Sequence, residues 1–208
     1  MSAFRPAINP FRTARIDHLP YRLRGATWDD LIARFDALGG RAAVVGDHGA
    51  GKTRFLAGLA THLRDRGRPT WSVRATHAPP PTAAEVDGRI VLVDELDALP
   101  WATRWSWRRR LRAAAGVVIA RHAPSATLPT LHRCAPDAAL VAELVAELVA
   151  PQPEAATAPS LEAPTAGDLA ALLARHRGNV RAVFAELYDR AAGRDRAATG
   201  DVARPIPP

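Results

Sequence analysis

The stretch "RAAVVGDHGAGKTRFLAGLATHL" (residues 41–63) decides how this chain folds. Its opening "RAAVVG" (41–46) is a short apolar run closed by glycine, the pattern of a buried strand. From Lys52 onward, Phe55, Leu56, Leu59 and Leu63 recur at helical spacing, and Gly67 ends the helix. Between strand and helix lies "GDHGAGKT" (46–53), which fits G-x-x-x-x-G-K-[ST] at every fixed position. In that setting the backbone N–H groups from Gly49 to Thr53 can wrap a phosphate, helped by the positive end of the helix.

The lysine of that motif stands out. Lysine and arginine together number 28, and Lys52 is the single lysine in the chain. With abundant alanine, this reads as the product of a GC-rich bacterial genome that uses arginine wherever any cation serves. Part of the net charge of +7 is then codon usage. Conversely, the one position that keeps a lysine needs one.

Working outward, "RIVLVDE" (89–95) is a fully apolar run ending in two acids, the mark of a strand buried in a parallel sheet. Together the two motifs resemble the P-loop NTPases. The Asp-Glu pair is similar to the Walker B element of the division with an added strand between the P-loop and Walker B strands, which includes the AAA+ and STAND ATPases. The resemblance implies an ATP site. Gly46, Asp47, His48, Gly49, Ala50, Gly51 and Arg54 would surround the nucleotide. Lys52 would reach its β- and γ-phosphates, Thr53 and Asp94 would hold Mg²⁺, and Glu95 would polarise the attacking water. Asp97, several residues into the turn, is the weaker metal candidate.

Three further segments carry the resemblance less firmly. "GVVIARHAP" (116–124) looks like the next strand, whose end carries a polar sensor. Arg121 or His122 could fill that role, and His122 is preferred because neutral imidazole both accepts and donates; the alternative is a surface histidine in a loop. "HRGNVRAVFAELYD" (176–189) is similar to a helical lid, with Arg181 at the second sensor position; the alternative makes Asn179 an N-cap and Arg181 a solvated residue. In "NPFRTARIDHLPYR" (9–22), Ile16, Leu19 and Tyr21 could contact the base, or could pack the N-terminal segment onto the sheet.

The departures matter too. Only about 40 residues separate Lys52 from Asp94, too few for an ABC domain, and there is no LSGGQ-like stretch. Few residues separate Arg121 from the weaker strand at 128–134, where AAA+ proteins place a helix ending in the arginine finger. Ring assembly and the oligomeric state are therefore left open.

The remaining elements follow from periodicity. "TWDDLIARFDAL" (27–38) is a helix with Thr27 as N-cap and Asp30 three residues on. "PTWSVRA" (69–75) alternates as a strand, and the Pro-rich loop 76–88 has room for one helical turn. "DAALVAELVAELV" (137–149) is helical; 150–164 is a Pro/Ala linker; Thr165 with Asp168 opens a helix to about His176, and a second follows Asn179. The expected class is α/β: a three-layer P-loop NTPase core with a parallel sheet and a small C-terminal helical lid. The expected divisions are an N-terminal segment and helix at 1–40, a core at 41–150, a lid at 165–192 and a disordered tail from 193.

The segment "WATRWSWRRRLR" (101–112) permits two readings. Trp101 and Trp105 are four apart, as are Trp107 and Leu111, which suits a helix packed on the sheet; that is the preferred reading. Arginines 104, 108, 109 and 112 could instead make a basic face for nucleic acid or a partner, with Arg110 beside them.

A lone cysteine, Cys134, cannot form an internal disulfide, and no zinc-ligand ladder is present. No apolar run approaches the roughly 18 residues needed to span a membrane, and the start has no apolar signal-peptide core, so a cytoplasmic location is expected. The functions in play are a Mg²⁺-dependent ATPase driving a conformational change or the assembly of an unknown protein partner, a DNA-associated ATPase of loader or transposition-regulator type, and a non-hydrolysing nucleotide switch. A small-molecule kinase is disfavoured by Glu95.

Overall fold

A computed structural model describes residues 9–150 and 164–193. Along the chain run α1 (Thr13–Ile16), α2 (Trp28–Ala37), β1 (Arg41–Val45), α3 (Lys52–Asp65), β2 (Thr70–Arg74) and α4 (Ala83–Val86). Then follow β3 (Ile90–Asp94), α5 (Trp101–Arg110), β4 (Gly116–Arg121), β5 (Thr130–Arg133), α6 (Ala138–Val149), α7 (Ala166–Arg175) and α8 (Val180–Ala191). Two compact units result, one spanning 20–136 and the other combining 9–19 with the described residues from 137 on.

In the first unit the five strands form one parallel sheet in the order β2-β3-β4-β1-β5. Strand β4 thus separates β1 from β3. Val45 pairs with Arg121 and Arg74 with Asp94, so the ends of β1, β4, β3 and β2 lie on one edge. That carboxyl edge is where open α/β sheets place their sites. Both faces are covered, which explains why β1 is apolar after Arg41 and β3 apolar up to Asp94. On one face α2 and α3 bury Phe35, Phe55, Leu59 and Leu63 against Val44, Leu92 and Val118. On the other, Trp107 and Leu111 pack with Val91, Val93, Val117 and Ile119. Fully burying one such large side chain is worth about 1.5–3 kcal/mol, so these clusters rather than helix propensity hold the layers.

Local signals set the boundaries. Thr27 accepts from Asp30 N at 3.1 Å while Asp30 takes the Thr27 N–H at 2.9 Å, the reciprocal cap that the sequence spacing implies. The loop after β2 holds two short helical pieces, Ala75–His77 and α4.

The reading of α5 needs correction. Trp107 is core at 0% exposure, whereas Trp101 and Trp105 are 76% and 60% exposed. The helix touches the sheet along one stripe only, and residues at 101 and 105 fall outside it.

In the second unit α6, α7 and α8 bury Val141, Val145, Leu148, Leu169, Leu172, Phe184 and Leu187 together with Phe11. Helix α6, read from sequence as the end of the core segment, packs with these helices. Glu186 on α8 binds Arg175 and His176, tying α7 to α8. Thr165 and Asp168 form the expected cap. Most of the linker (151–163) and of the tail (194–208) lies outside the described residues.

Candidate phosphate-binding site

The loop 46–53 turns sharply from β1 into α3, and its glycines are there for backbone reasons. Gly49 and Gly51 sit at φ 73° and 94°, where a side chain is strained. A Cβ on Gly46 would meet the Cys134 carbonyl oxygen at 2.6 Å, so the loop can run this close to β5 only as glycine. Tyr21 backs the loop at Gly51 and shares a 2.9 Å hydrogen bond with His132 Nε2. Its ring packs edge-on against Phe55, and burial pushes its hydroxyl pKa up. Tyr21 is therefore a support beneath the loop. Ile16 and Leu19 pack in the second unit's core.

Lys52 Nζ donates to the Gly46 and Asp47 carbonyls at 2.6 and 2.8 Å, folding back over its own loop. It also meets His122 Nδ1 at 3.3 Å, which makes that nitrogen the acceptor. His122 stacks near His48, with ring centroids 3.9 Å apart. Burial, then the Lys52 and His48 charges, hold the His122 pKa below the usual histidine range. Burial likewise lowers the Lys52 pKa, against the pull of Asp94.

Thr53 Oγ1 donates to Asp94 Oδ2 at 2.5 Å, although 41 positions separate them. A hydroxyl facing a buried carboxylate is a pair of hard oxygen donors. Such a pair fits Mg²⁺, which uses one or two protein oxygens plus water and phosphate rather than a full protein cage. The other Asp94 oxygen accepts the Glu95 N–H at 2.9 Å, which fixes its rotamer.

Glu95 takes a left-handed backbone at φ 57°, unusual for a side chain of its size. Its carboxylate is held on both oxygens: Thr76 Oγ1 donates to Oε2 at 2.5 Å, and Arg74 Nε lies 3.4 Å from Oε1. Sequence reading missed both partners. Their signal was position, since Arg74 ends and Thr76 follows the strand that neighbours β3, but strand order is not readable from periodicity. Arg121 is engaged by Asp97 at 3.2 Å, so of the two sensor candidates it is His122 that meets Lys52.

Arg54, Asp47, His48 and Ala50 lie in or next to the loop. Arg181 is exposed in the first turn of α8, behind an N-cap in which Asn179 Oδ1 accepts from Ala182 N at 3.0 Å. A cleft of about 550 Å³ opens between α3 and β2, with Thr53, Arg64, Ser72, Arg74, Leu92 and Asp94 in its walls. It meets the Thr53–Asp94 pair but not the glycines of the 46–53 loop, so it flanks that loop.

No protein-family model and no curated protein matches this chain. Solved structures do. NtrX from Brucella abortus in complex with ADP is similar with a TM-score of 0.57 and 15% identity, over 90% of this chain and 55% of that one. The same protein in complex with ATP gives 0.53 and 18%, over 83% and 54%. At that identity the likeness is one of fold. The chain spans about half the length of the NtrX chains it matches. Among the described residues, no helix is long and apolar enough to cross a membrane.

Proposed function

We propose that the chain binds Mg-ATP at the 46–53 loop and hydrolyses it slowly, using the cycle to drive a conformational change or a partner's assembly. The observation that carries this is the Thr53–Asp94 contact, which joins the helix after the glycine loop to the end of a non-adjacent strand. Placement of β4 between β1 and β3 supports the division of P-loop proteins that the Asp94–Glu95 pair resembles. The similar structures hold ADP and ATP.

Magnesium bound by Thr53 and Asp94 would supply charge neutralisation on the phosphate oxygens. The loop N–H groups bind and orient the phosphates. Lys52 leaves the Gly46 and Asp47 carbonyls for the phosphate oxygens, exchanging neutral acceptors for charged ones. Glu95 orients a water in line with the terminal phosphate and accepts its hydrogen bond. His122, neutral at pH 7, holds the Lys52 ammonium on one side. Slow turnover is expected because Thr76 and Arg74 occupy the Glu95 carboxylate.

Fluorescent-ATP binding and steady-state turnover in the wild type, Lys52→Ala and Glu95→Gln test this reading. Binding should weaken by about 100-fold in Lys52→Ala, as expected for a lost charged contact worth roughly 3 kcal/mol. It should survive in Glu95→Gln while turnover disappears. A wild type that does not bind Mg-ATP sinks the proposal. Binding with turnover no faster than Glu95→Gln would leave a nucleotide switch that does not hydrolyse.

A further inference from the structure

The outward stripe of α5 takes no part in the nucleotide site. Trp101, Trp105 and Arg109 follow one another at four-residue intervals, stacked on one side of the helix about 6 Å apart along its axis. The two indoles are the large hydrophobic side chains exposed among the described residues. The Arg109 guanidinium lies 5.9 Å from the Trp105 ring centroid. Arg108 on the helix and Arg112 in the short turn just past its end are also exposed, and from Trp101 to Ala113 the sequence holds no acid.

Folding explains none of this. Trp107 is the buried side chain of α5 and, with Leu111 just past the helix end, packs on the sheet. Two exposed indoles leave apolar surface in water, and clustered like charges on one helix repel. A genomic preference for arginine explains which cation is used. It does not explain why acids are missing among the cations, or why the tryptophans face outward. An acidic peptide would satisfy the guanidinium groups and leave the indoles wet. An apolar partner would cover the indoles and bury unpaired charge. One chemistry supplies flat π faces and a row of anions together.

We propose that the outer face of α5 binds single-stranded nucleic acid. Bases stack on Trp101 and Trp105, while Arg108, Arg109 and Arg112 hold phosphates in fork geometry. Single strands fit better than duplex because paired bases already cover one another's faces. Nothing in this face depends on ATP, so it stands or falls apart from the nucleotide site.

The test is fluorescence anisotropy of a labelled oligothymidylate with the full chain, across a salt titration. A duplex of equal length and polyglutamate serve as competitors. Trp101→Ala/Trp105→Ala should weaken binding at least tenfold at an unchanged melting temperature, since each stacked base contributes roughly 1–3 kcal/mol. Arg108→Ala/Arg109→Ala/Arg112→Ala should flatten the slope of log affinity against log salt by about 2, at roughly 0.7 per phosphate contact. Indole emission should be quenched at saturation. Absence of binding at roughly 50 mM salt overturns the proposal. So does an unchanged affinity in the double tryptophan variant, which would reduce the face to charge alone. Preference for duplex, or equal competition by polyglutamate, would assign the face to another partner.

Discussion

Thr76 and Glu95 are joined by a 2.5 Å hydrogen bond that ties the loop after β2 to the end of β3. The acid proposed to activate water is thus already occupied, and Arg74 sits on its other oxygen. A carboxylate with both oxygens engaged must give up a partner before it can take a water. Thr76→Val should free its Oε2 oxygen and raise turnover several-fold with little change in ATP affinity. Steady-state kinetics decides: a fall in kcat would mean that Thr76 aims Glu95 instead of restraining it.

Glycine substitutions should sort by environment. Gly46→Ala drives a methyl into the Cys134 carbonyl at 2.6 Å, backbone that cannot step aside. A cost of about 1–3 kcal/mol is expected, with loss of phosphate binding. Gly167→Ala, in α7, finds only Thr165 Oγ1 at 3.8 Å. There the gain in helix propensity should stabilise by about 0.5–1 kcal/mol. Urea denaturation of both variants checks the contrast, and equal effects would contradict the described loop geometry.

The three α5 tryptophans should behave as two classes. Trp107→Ala empties a buried site between helix and sheet and should cost about 3–5 kcal/mol. Trp101→Ala and Trp105→Ala should each stay within about 0.5 kcal/mol. Similar losses at all three positions would place Trp101 and Trp105 in packing.

His122 gives a pH signature. Its folded pKa lies below the usual value, through burial and the Lys52 and His48 charges. The unfolded chain therefore takes up this proton first as pH falls. Stability declines through the ordinary histidine range and levels off once the folded His122 is protonated too. His122→Gln should lose its share of that decline and keep the share of His132, whose pKa burial also lowers. Melting temperatures of both proteins from pH 8 to 5 test it, and parallel curves would refute the shift.

Glu186 should set the acid limit of the helical unit. Burial opposes its charge, but hydrogen bonds from His176 and Arg190 and the Arg175 charge outweigh it, holding its pKa below the usual carboxylate range. Its contribution is present above the unfolded value and is lost as pH falls through the folded one. Glu186→Gln should lower stability at pH 7 and reduce the acid sensitivity, as read by circular dichroism. An unchanged melting point would show that these ion pairs contribute nothing.

Motifs and periodicity carried much of this protein in the sequence itself. "GDHGAGKT" between an apolar run and a helical repeat specified a strand–loop–helix, because each part has its own short-range physics: β burial, glycine φ, helix spacing. "IVLVDE" specified a strand buried on both faces. The caps at Thr27 and Thr165 were legible because a cap is an interaction across three residues. Contacts between distant segments were not. The family resemblance, not any local pattern, put Thr53 and Asp94 together; that Thr76 holds Glu95 and that Cys134 leaves room only for glycine at 46 depend on strand order. Strand order is chosen by the packing of whole layers, which leaves no local pattern. The α5 tryptophans show the same limit. Their spacing allowed two faces, and only the position of the sheet decided that Trp107 is buried while Trp101 and Trp105 stay in water.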